Sequence, residues 1–163
     1  MPTRRSLVLS LAATLGGCGF TLKRPPELRF RTIQLTGFAV RSPIAAELTR
    51  DIDASATTRV VASLKDAQVV LQALAEEREK SVVATTAANL VREYELRSRF
   101  RFTLRSASGK DLVPSSEILL KRELTYTESA ALGKEQEEAF LYRAMESDIV
   151  SQVLRRLASV QVL

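Results

Sequence analysis

The chain has 163 residues with 24 basic and 19 acidic side chains, a formal net charge of +5, no histidine, no tryptophan and one cysteine. Without histidine, histidine-dependent catalytic triads and zinc sites with histidine ligands are excluded. A single cysteine allows no internal disulfide, so the core must hold without one. The mild positive charge indicates anionic partners only weakly.

Residues 1–17 predict a lipoprotein signal peptide. Arg4 and Arg5 precede an apolar run, Leu7 to Leu15, that is too short to span a bilayer. The run ends in Leu15-Gly16-Gly17-Cys18, which is similar to the bacterial lipoprotein box. The thiol of Cys18 would carry a diacylglycerol and the freed amine a third acyl chain. Two or three chains suffice for stable attachment, and we expect no other cofactor.

Two alternatives remain for this segment. It could be a plain signal peptide whose cleavage region happens to contain a cysteine. The sequence Thr3 to Leu7 also leaves open whether export uses the general secretory or the twin-arginine route. Gly19 follows the cysteine where an aspartate would retain a lipoprotein at the inner membrane, so similarity to lipoprotein sorting rules implies the outer membrane. Removing residues 1–17 leaves 146 residues with a charge of +3, a length that suits one domain.

We expect residues 18–27, which include Pro25-Pro26, to form a lipidated, extended tether, and residues 28–163 to form a single domain. Alternating apolar and basic residues predict a strand over Leu28 to Leu35. Ser42-Pro43 predicts a helix start, with a capping hydroxyl followed by a proline in the first turn. Apolar residues then recur every four positions at Ile44, Leu48 and Ile52.

The middle of the chain gives weaker patterns. Val60 to Leu64 is either a short strand or the end of a helical hairpin. Val69 to Leu74 predicts a short strand that continues into the charged segment Glu76 to Lys80, and Val82 to Leu90 is poor in charge.

The clearest pattern of the chain is the alternation from Glu93 to Leu104, which only Ser98 breaks on the apolar face. One face carries Tyr94, Leu96, Phe100, Phe102 and Leu104, and the other carries Glu93, Glu95, Arg97, Arg99, Arg101 and Thr103. This pattern predicts a half-buried antiparallel strand at the centre of the sheet. A turn at Ser108 to Asp111 would lead to a partner strand over Glu117 to Tyr126. The aromatic residues are interpreted as core, so we expect no nucleic-acid partner.

A long helix is predicted from Ser129 to Leu157, because apolar residues recur at spacing four from Leu141 onward. Its first turns are acidic and its last turn carries Arg155-Arg156, which suits the helix dipole. The predicted fold is α+β, a two-layer sandwich with two helices packed on one face of a mainly antiparallel four-stranded sheet.

Arginines are the candidate binding residues. Arg97, Arg99 and Arg101 would form a row able to hold phosphates or acidic partner side chains, and Arg29 and Arg31 would extend it if their strand were adjacent. The alternative is a solvated face whose arginines pair with Glu93, Glu95 and Glu123. Arg143 either meets a ligand or pairs with Glu146 or Ser147. Arg122 is either a snorkelling edge residue or an interface contact. No residue set predicts catalysis or a metal site.

The chain resembles the LptE family of lipopolysaccharide-assembly lipoproteins. The resemblance rests on motifs in the family's order: Cys18-Gly19-Phe20, Glu93-Tyr94-Glu95-Leu96, Arg122-Glu123-Leu124-Thr125-Tyr126, Ala131-Leu132-Gly133-Lys134-Glu135, Met145 and Arg155-Arg156-Leu157. It implies two helices on a four-stranded sheet and a non-enzymatic outer-membrane protein. Such a protein plugs the lumen of the LptD β-barrel, helps to assemble it and assists lipopolysaccharide delivery to the outer leaflet.

The resemblance also implies basic residues that contact the anionic lipid. One such position falls on Arg143. A second falls near Ala87, which cannot make the contact, and Arg92 is the nearest substitute. A different class of function stays open, namely a periplasmic substrate-binding or accessory lipoprotein of another envelope transport system. An apolar cleft between helices and sheet would favour that class, whereas a filled core with a broad polar outer face would favour the plug.

Overall fold

The computed structural model describes residues 27–160. Its strands are β1 (Thr32–Thr36), β2 (Arg59–Val60), β3 (Val69–Thr85), β4 (Val91–Ser106) and β5 (Asp111–Thr125), and its helices are α1 (Pro43–Asp53) and α2 (Ala131–Ala158). Short 3-10 turns occupy Leu64–Asp66 and Glu128–Ala130. The predicted signal peptide, Cys18 and the tether up to residue 26 lie outside the described residues.

The sheet has five strands in the order β2-β1-β3-β4-β5. β1 runs parallel to both β2 and β3, whereas β3, β4 and β5 are antiparallel. The α+β class with two helices is therefore confirmed, but the sheet is five-stranded and mixed, whereas a four-stranded, mainly antiparallel sheet was predicted. α1 follows β1 and crosses over, so the next strands return in the same direction. A strand of only two residues, such as β2, leaves no periodicity in the sequence.

α1 forms where its cap predicts. The Ala45 amide donates a hydrogen bond to the Ser42 hydroxyl at 3.0 Å, and Pro43 occupies the first turn. The buried residues of the helix are the predicted Ile44, Leu48 and Ile52. Of the two alternatives for the segment that follows, the short strand is the one observed, since β2 precedes a 3-10 turn.

β1 begins four residues later than predicted. Leu28 and Phe30 are buried as their alternation suggested, with 7% and 2% of their surfaces exposed. The Thr58 hydroxyl donates to the Phe30 carbonyl at 2.7 Å. The Thr58 side chain therefore takes the Phe30 carbonyl, which a regular strand would pair with a backbone amide of its neighbour.

β3 and β4 form one long hairpin. β3 unites the predicted strand at Val69 with the charged segment and the first four residues of Val82 to Leu90, and its pairing register shifts between Ala73 and Ala75. The Thr86 amide donates to the Leu90 carbonyl at 2.8 Å and closes the turn. The strand predicted at Val69 does continue into the charged segment, and it runs on to Thr85, beyond the point where the register shift disguises the alternation.

The core lies between the sheet and the helices. Leu96, Phe100, Phe102 and Leu104 of β4 are fully buried, as their alternation predicts, and each contributes about 2 kcal/mol of gross burial. The Phe100 and Phe102 rings stack with centroids 5.5 Å apart. From α2, the predicted stripe is buried with 0% exposure at Met145, Ile149, Val153 and Leu157. Both helices therefore cover one face and leave the other open.

Candidate partner and lipid interface

The predicted arginine row lies on the uncovered outer face of the sheet. Arg97 and Arg99 are half-buried on β4, and Arg101 beside them is exposed. Their neighbours on this face are the register partners from β3 and β5. The alternation of β4 therefore places the three guanidinium groups where an external partner can reach them.

Carboxylates alternate with the arginines of this face. Arg97 contacts Glu95 on its own strand and lies 3.5 Å from Glu79 of β3, and an Arg99 guanidinium nitrogen lies 3.8 Å from Glu77. The hydrogen bond from Arg97 lowers the pKa of Glu95, and the same bond raises the pKa of Arg97. The row is thus a strip of alternating charge and not a continuous basic patch.

The pairing partners differ from those predicted. Glu95 pairs as expected, but Glu123 lies opposite Glu95 in the register, and Glu93 lies opposite Thr125. Among the described residues, neither Glu93 nor Glu123 makes an ion pair. The carboxylates of β3 take their place, because β3 and not only β5 borders β4.

Arg29 and Arg31 do not extend the row. β3 separates β1 from β4 in the sheet, and both arginines come before Thr32, the first residue of β1. Arg101 makes no ion pair among the described residues, whereas Arg105 binds Asp111 at 2.8 Å at the end of the strand.

Arg122 lies on the other face of β5, in the row that faces the helices. An Arg122 guanidinium nitrogen lies 3.4 Å from an Asp148 carboxylate oxygen of α2, and both side chains remain about half exposed. The residue therefore links the edge strand to the helix, and it is accessible from outside.

Arg143 is exposed on α2, and both of its predicted partners bind other residues. Glu146 accepts from Arg78 of β3 at 2.6 Å, and the Ser147 hydroxyl donates to Glu47 of α1 at 2.7 Å. Arg143 makes no ion pair within residues 27–160, so its guanidinium is available to an external anion.

Arg92 is exposed at the start of β4, next to the hairpin turn. Its carbonyl accepts from the Tyr126 amide at 2.8 Å, which ties this end of β4 to the chain leaving β5. The candidate residues consequently fall on four surfaces: the outer sheet face, the β5 edge with Arg122, the hairpin end with Arg92, and the exposed side of α2 with Arg143.

A charged seam between β3 and the first half of α2 was not predicted. Lys80 binds Glu138 at 2.6 Å, and the Tyr142 hydroxyl donates to the Glu79 carbonyl at 2.8 Å. An open cleft of about 470 Å³ runs along the seam, lined by Arg78, Lys80, Glu135, Glu138, Ala139 and Tyr142. The sequence does carry a signal for this seam, since Glu76, Arg78 and Lys80 alternate along β3. However, the register shift between Ala73 and Ala75 puts these three residues out of phase with the apolar residues before them.

Glu146 is the most buried charge described, with 3% of its surface exposed. Burial raises the pKa of its carboxyl, the hydrogen bond from Arg78 lowers it, and the nearby Glu76 and Glu47 raise it again. The seam therefore holds a carboxylate that depends on a single arginine for its charge partner.

α1 covers only the second half of α2, where Ser147 meets Glu47. The first half leaves two large apolar side chains exposed, Leu132 at 79% and Phe140 at 62%. They share a broad side of the helix with Arg143, because positions 132 and 143 are about three turns apart and position 140 lies within about 80° of both. This side offers apolar contact beside a free cation.

No helix within residues 27–160 is long and apolar enough to cross a membrane. In the same range, no group of three or more potential metal-ligating side chains gathers in one place.

The chain matches the family model described as LptE, lipopolysaccharide-assembly, over residues 30–157. An uncharacterized lipoprotein B from Nitrosomonas europaea has a similar solution structure, with 31% identity, a TM-score of 0.73, and coverage of 86% of this chain and 91% of that one. No curated protein matches the chain.

Two further solved structures share the fold. The rare lipoprotein B from Shewanella oneidensis is 20% identical with a TM-score of 0.66, over 79% of this chain and 95% of its own. A minor lipoprotein from Acinetobacter baumannii is 18% identical with the same TM-score, over 84% and 100%. Because the family model spans most of the described residues, the chain belongs to the LptE family, a non-enzymatic family of lipopolysaccharide-assembly lipoproteins.

Proposed function

We propose that this protein is an outer-membrane lipoprotein, anchored by acyl chains on Cys18 on the periplasmic side of the membrane. There it plugs the lumen of an LptD-type β-barrel, helps to assemble it, and assists lipopolysaccharide delivery. In this proposal residues 1–17 are the signal peptide, residues 18–27 the lipidated tether and residues 28–163 the plugging domain. Membership of the LptE family supports the partner and the lipid.

One observation carries the choice of a plug over a soluble binding module: the space between helices and sheet is filled. Ile44, Leu48, Phe100 and Ile149 meet there with at most 1% of their surfaces exposed. The cleft along the charged seam is open and lined mainly by charged side chains. An apolar ligand therefore finds no room in this part of the core, which disfavours the substrate-binding alternative.

The outer face suits the wall of a large barrel. Barrel interiors are polar, so a plug needs side chains that exchange water for partner hydrogen bonds. The alternating strip around Arg97 and Arg99 offers donors and acceptors of both signs without a large net charge. Truncating one member of a charge pair at such an interface weakens binding strongly.

The lipid role falls to the exposed side of α2 that carries Arg143. Arg143 is a free guanidinium beside exposed Phe140, which is the combination that a phosphorylated, acylated lipid needs. Arg92, next to the hairpin turn, and Arg122, on the β5 edge, are the other exposed candidates outside the outer sheet face. Among the three, Arg143 has the strongest support because its predicted internal partners bind elsewhere.

The plug is tested by purifying the tagged protein from native outer membranes in mild detergent. We expect a large barrel to co-purify, and Arg97→Glu with Arg99→Glu to lower its yield on the order of tenfold. The matched control is Arg41→Glu with Arg50→Glu, the same charge change on exposed side chains at α1. Recovery of the wild-type protein free of any barrel contradicts the plug. Equal loss in both double variants removes the outer face from the interface.

The lipid role is tested on the same preparations by measuring lipopolysaccharide per protein. Arg143→Glu is expected to lower that ratio several-fold, and Arg143→Lys to lower it less, because lysine keeps the charge but loses the fork. An unchanged ratio in Arg143→Glu excludes this residue from the lipid contact.

A further inference from the structure

The two ends of the domain differ in charge. One end contains the first residues of β1 and β3, the last residues of α1 and α2, and the β4–β5 turn. We call it the anchor end. It comprises residues 27–31, 53–68, 105–111 and 155–160, with eight basic and four acidic side chains. The remaining described residues carry twelve basic and fifteen acidic side chains. The anchor end is therefore positively charged, whereas the rest of the described residues carry a small net negative charge.

Six cations of the anchor end are exposed and make no ion pair within residues 27–160: Arg29, Arg31, Arg59, Lys65, Lys110 and Arg155. By contrast, two of the four acids at this end are already engaged. Asp111 pairs with Arg105 at 2.8 Å, and Asp53 accepts the Val60 amide at 2.8 Å. The net positive charge is therefore directed outward.

The fold holds these cations across one continuous edge. Burial of Leu28 and Phe30 turns Arg29 and Arg31 outward, and both arginines line an open cleft of about 470 Å³ with Ala56 and Thr57.

Backbone and side-chain hydrogen bonds extend this edge in both directions. The Arg59 amide donates to the Arg31 carbonyl at 2.9 Å, and the Arg31 amide donates to Gln68 at 2.7 Å. The Gln68 carbonyl accepts from Ala107 at 2.9 Å, next to the turn that carries Lys110.

The same end receives the tether. Described residues begin at Glu27, nine positions after Cys18, so the chain between them can reach at most about 30 Å. The tether adds Lys23 and Arg24 to the basic residues. Basic clusters next to a membrane anchor bind anionic headgroups.

We propose that the anchor end docks on the anionic phospholipid headgroups of the leaflet that holds the Cys18 acyl chains, with Arg29, Arg31 and Arg59 at the contact. This rests on the acylation of Cys18 proposed above. Docking orients the domain: β3, with 17 residues, extends for about 55 Å, so the hairpin turn lies far from this headgroup layer. Arg143 lies near the middle of this length, because its neighbour Tyr142 contacts Glu79 of β3. The cations determine orientation, while the acyl chains supply most of the affinity.

The test uses the mature chain from residue 18 with Cys18→Ser, so that no acyl chain contributes. Binding is measured by sedimentation with vesicles of phosphatidylcholine alone and with vesicles that also contain phosphatidylglycerol. We expect binding only to the anionic vesicles, weakened by added salt. Arg29→Gln, Arg31→Gln and Arg59→Gln together should lower the affinity on the order of 100-fold, about fivefold per side chain.

The matched control is Arg41→Gln, Lys121→Gln and Lys134→Gln, which removes the same charge outside the anchor end and should leave binding unchanged. Circular dichroism checks that both triple variants are folded. Equal binding to the two vesicle types, or an equal loss in the two triple variants, overturns the proposal. Binding to lipopolysaccharide micelles without binding to anionic vesicles overturns it as well.

Its failure is distinguishable from failure of the plug, because the vesicle assay contains no barrel and the barrel pull-down needs no vesicle preference.

Discussion

Removal of Arg78 should destabilise the fold, because it leaves the buried Glu146 carboxylate without its charge partner. Arg78 Nε donates to Glu146 at 2.6 Å, and the guanidinium also lies 5.2 Å from the Tyr142 ring centroid. Breaking a fully buried ion pair from one side costs about 3–5 kcal/mol. The Arg78 side chain is half exposed, so water partly replaces it. We therefore expect Arg78→Ala to lower the free energy of unfolding by about 2 kcal/mol.

Substitution of the other partner, Glu146, should change the free energy of unfolding much less. The pKa of Glu146 is raised overall, with burial the largest cause, so the fold favours the neutral form of this side chain. Glutamine has the same shape and carries no charge to desolvate. Glu146→Gln should therefore change the free energy of unfolding by less than about 1 kcal/mol.

The deficit of Arg78→Ala should depend on pH with a defined sign. Without Arg78, burial and the carboxylates of Glu76 and Glu47 all still raise the pKa of Glu146. An acid whose pKa is raised by folding contributes stability that is present below its unfolded pKa and is lost as the pH rises through its folded pKa. The deficit should thus be largest at neutral pH and shrink in acid.

Urea unfolding at several pH values measures these differences as shifts in midpoint at constant slope. In thermal unfolding, about 1 kcal/mol corresponds to roughly 3–5 °C for a domain of this size. The control is Arg99→Ala, whose pair with Glu77 spans 3.8 Å between exposed side chains and should matter by less than about 0.5 kcal/mol. The reasoning is refuted if Glu146→Gln destabilises as much as Arg78→Ala, or if the deficit grows in acid.

Three further outcomes are expected. Gly37 has φ +76°, and a Cβ there would lie 2.3 Å from the Ala73 carbonyl oxygen, so Gly37→Ala should destabilise by about 2–4 kcal/mol in urea unfolding; an unchanged midpoint contradicts this close approach. Ser42→Ala removes the α1 cap and the 2.9 Å hydrogen bond to Glu76, which should lower the unfolding free energy by about 1–2 kcal/mol, whereas Ser42→Thr should retain most of it. Cys18→Ala should leave the domain folded but unprocessed or mislocalised, as read by intact mass and membrane fractionation; normal anchoring of this variant would exclude acylation of Cys18.

The candidate site illustrates which part of a surface a sequence can predict. Alternation along β4 identified the exposed row of Arg97, Arg99 and Arg101, because exposure follows from period alone. It did not identify Glu77 and Glu79 as charge partners, since those depend on which strand lies alongside and in which register. The sequence therefore predicts the row of arginines but not the carboxylates of β3 that neutralise two of them.

Arg143 shows the same limit on a helix. Spacing on α2 suggested Glu146 and Ser147 as its partners, since residues three and four apart are neighbours. In the fold, β3 and α1 supply Arg78 and Glu47, which bind those two residues. Contacts between elements therefore removed the local partners and left Arg143 without an ion pair within residues 27–160.

The sequence by itself determined the elements whose signals are local: the cap and stripe of α1, the alternation of β4 and the apolar stripe of α2. The tertiary structure alone decided that β1 runs parallel to β3, that a fifth strand joins the edge, and that basic side chains gather at the anchor end. Local periodicity records which face of an element is buried, because neighbouring residues share one environment. Strand order, direction and charge balance are set by contacts between residues far apart in the chain, and no local pattern carries them.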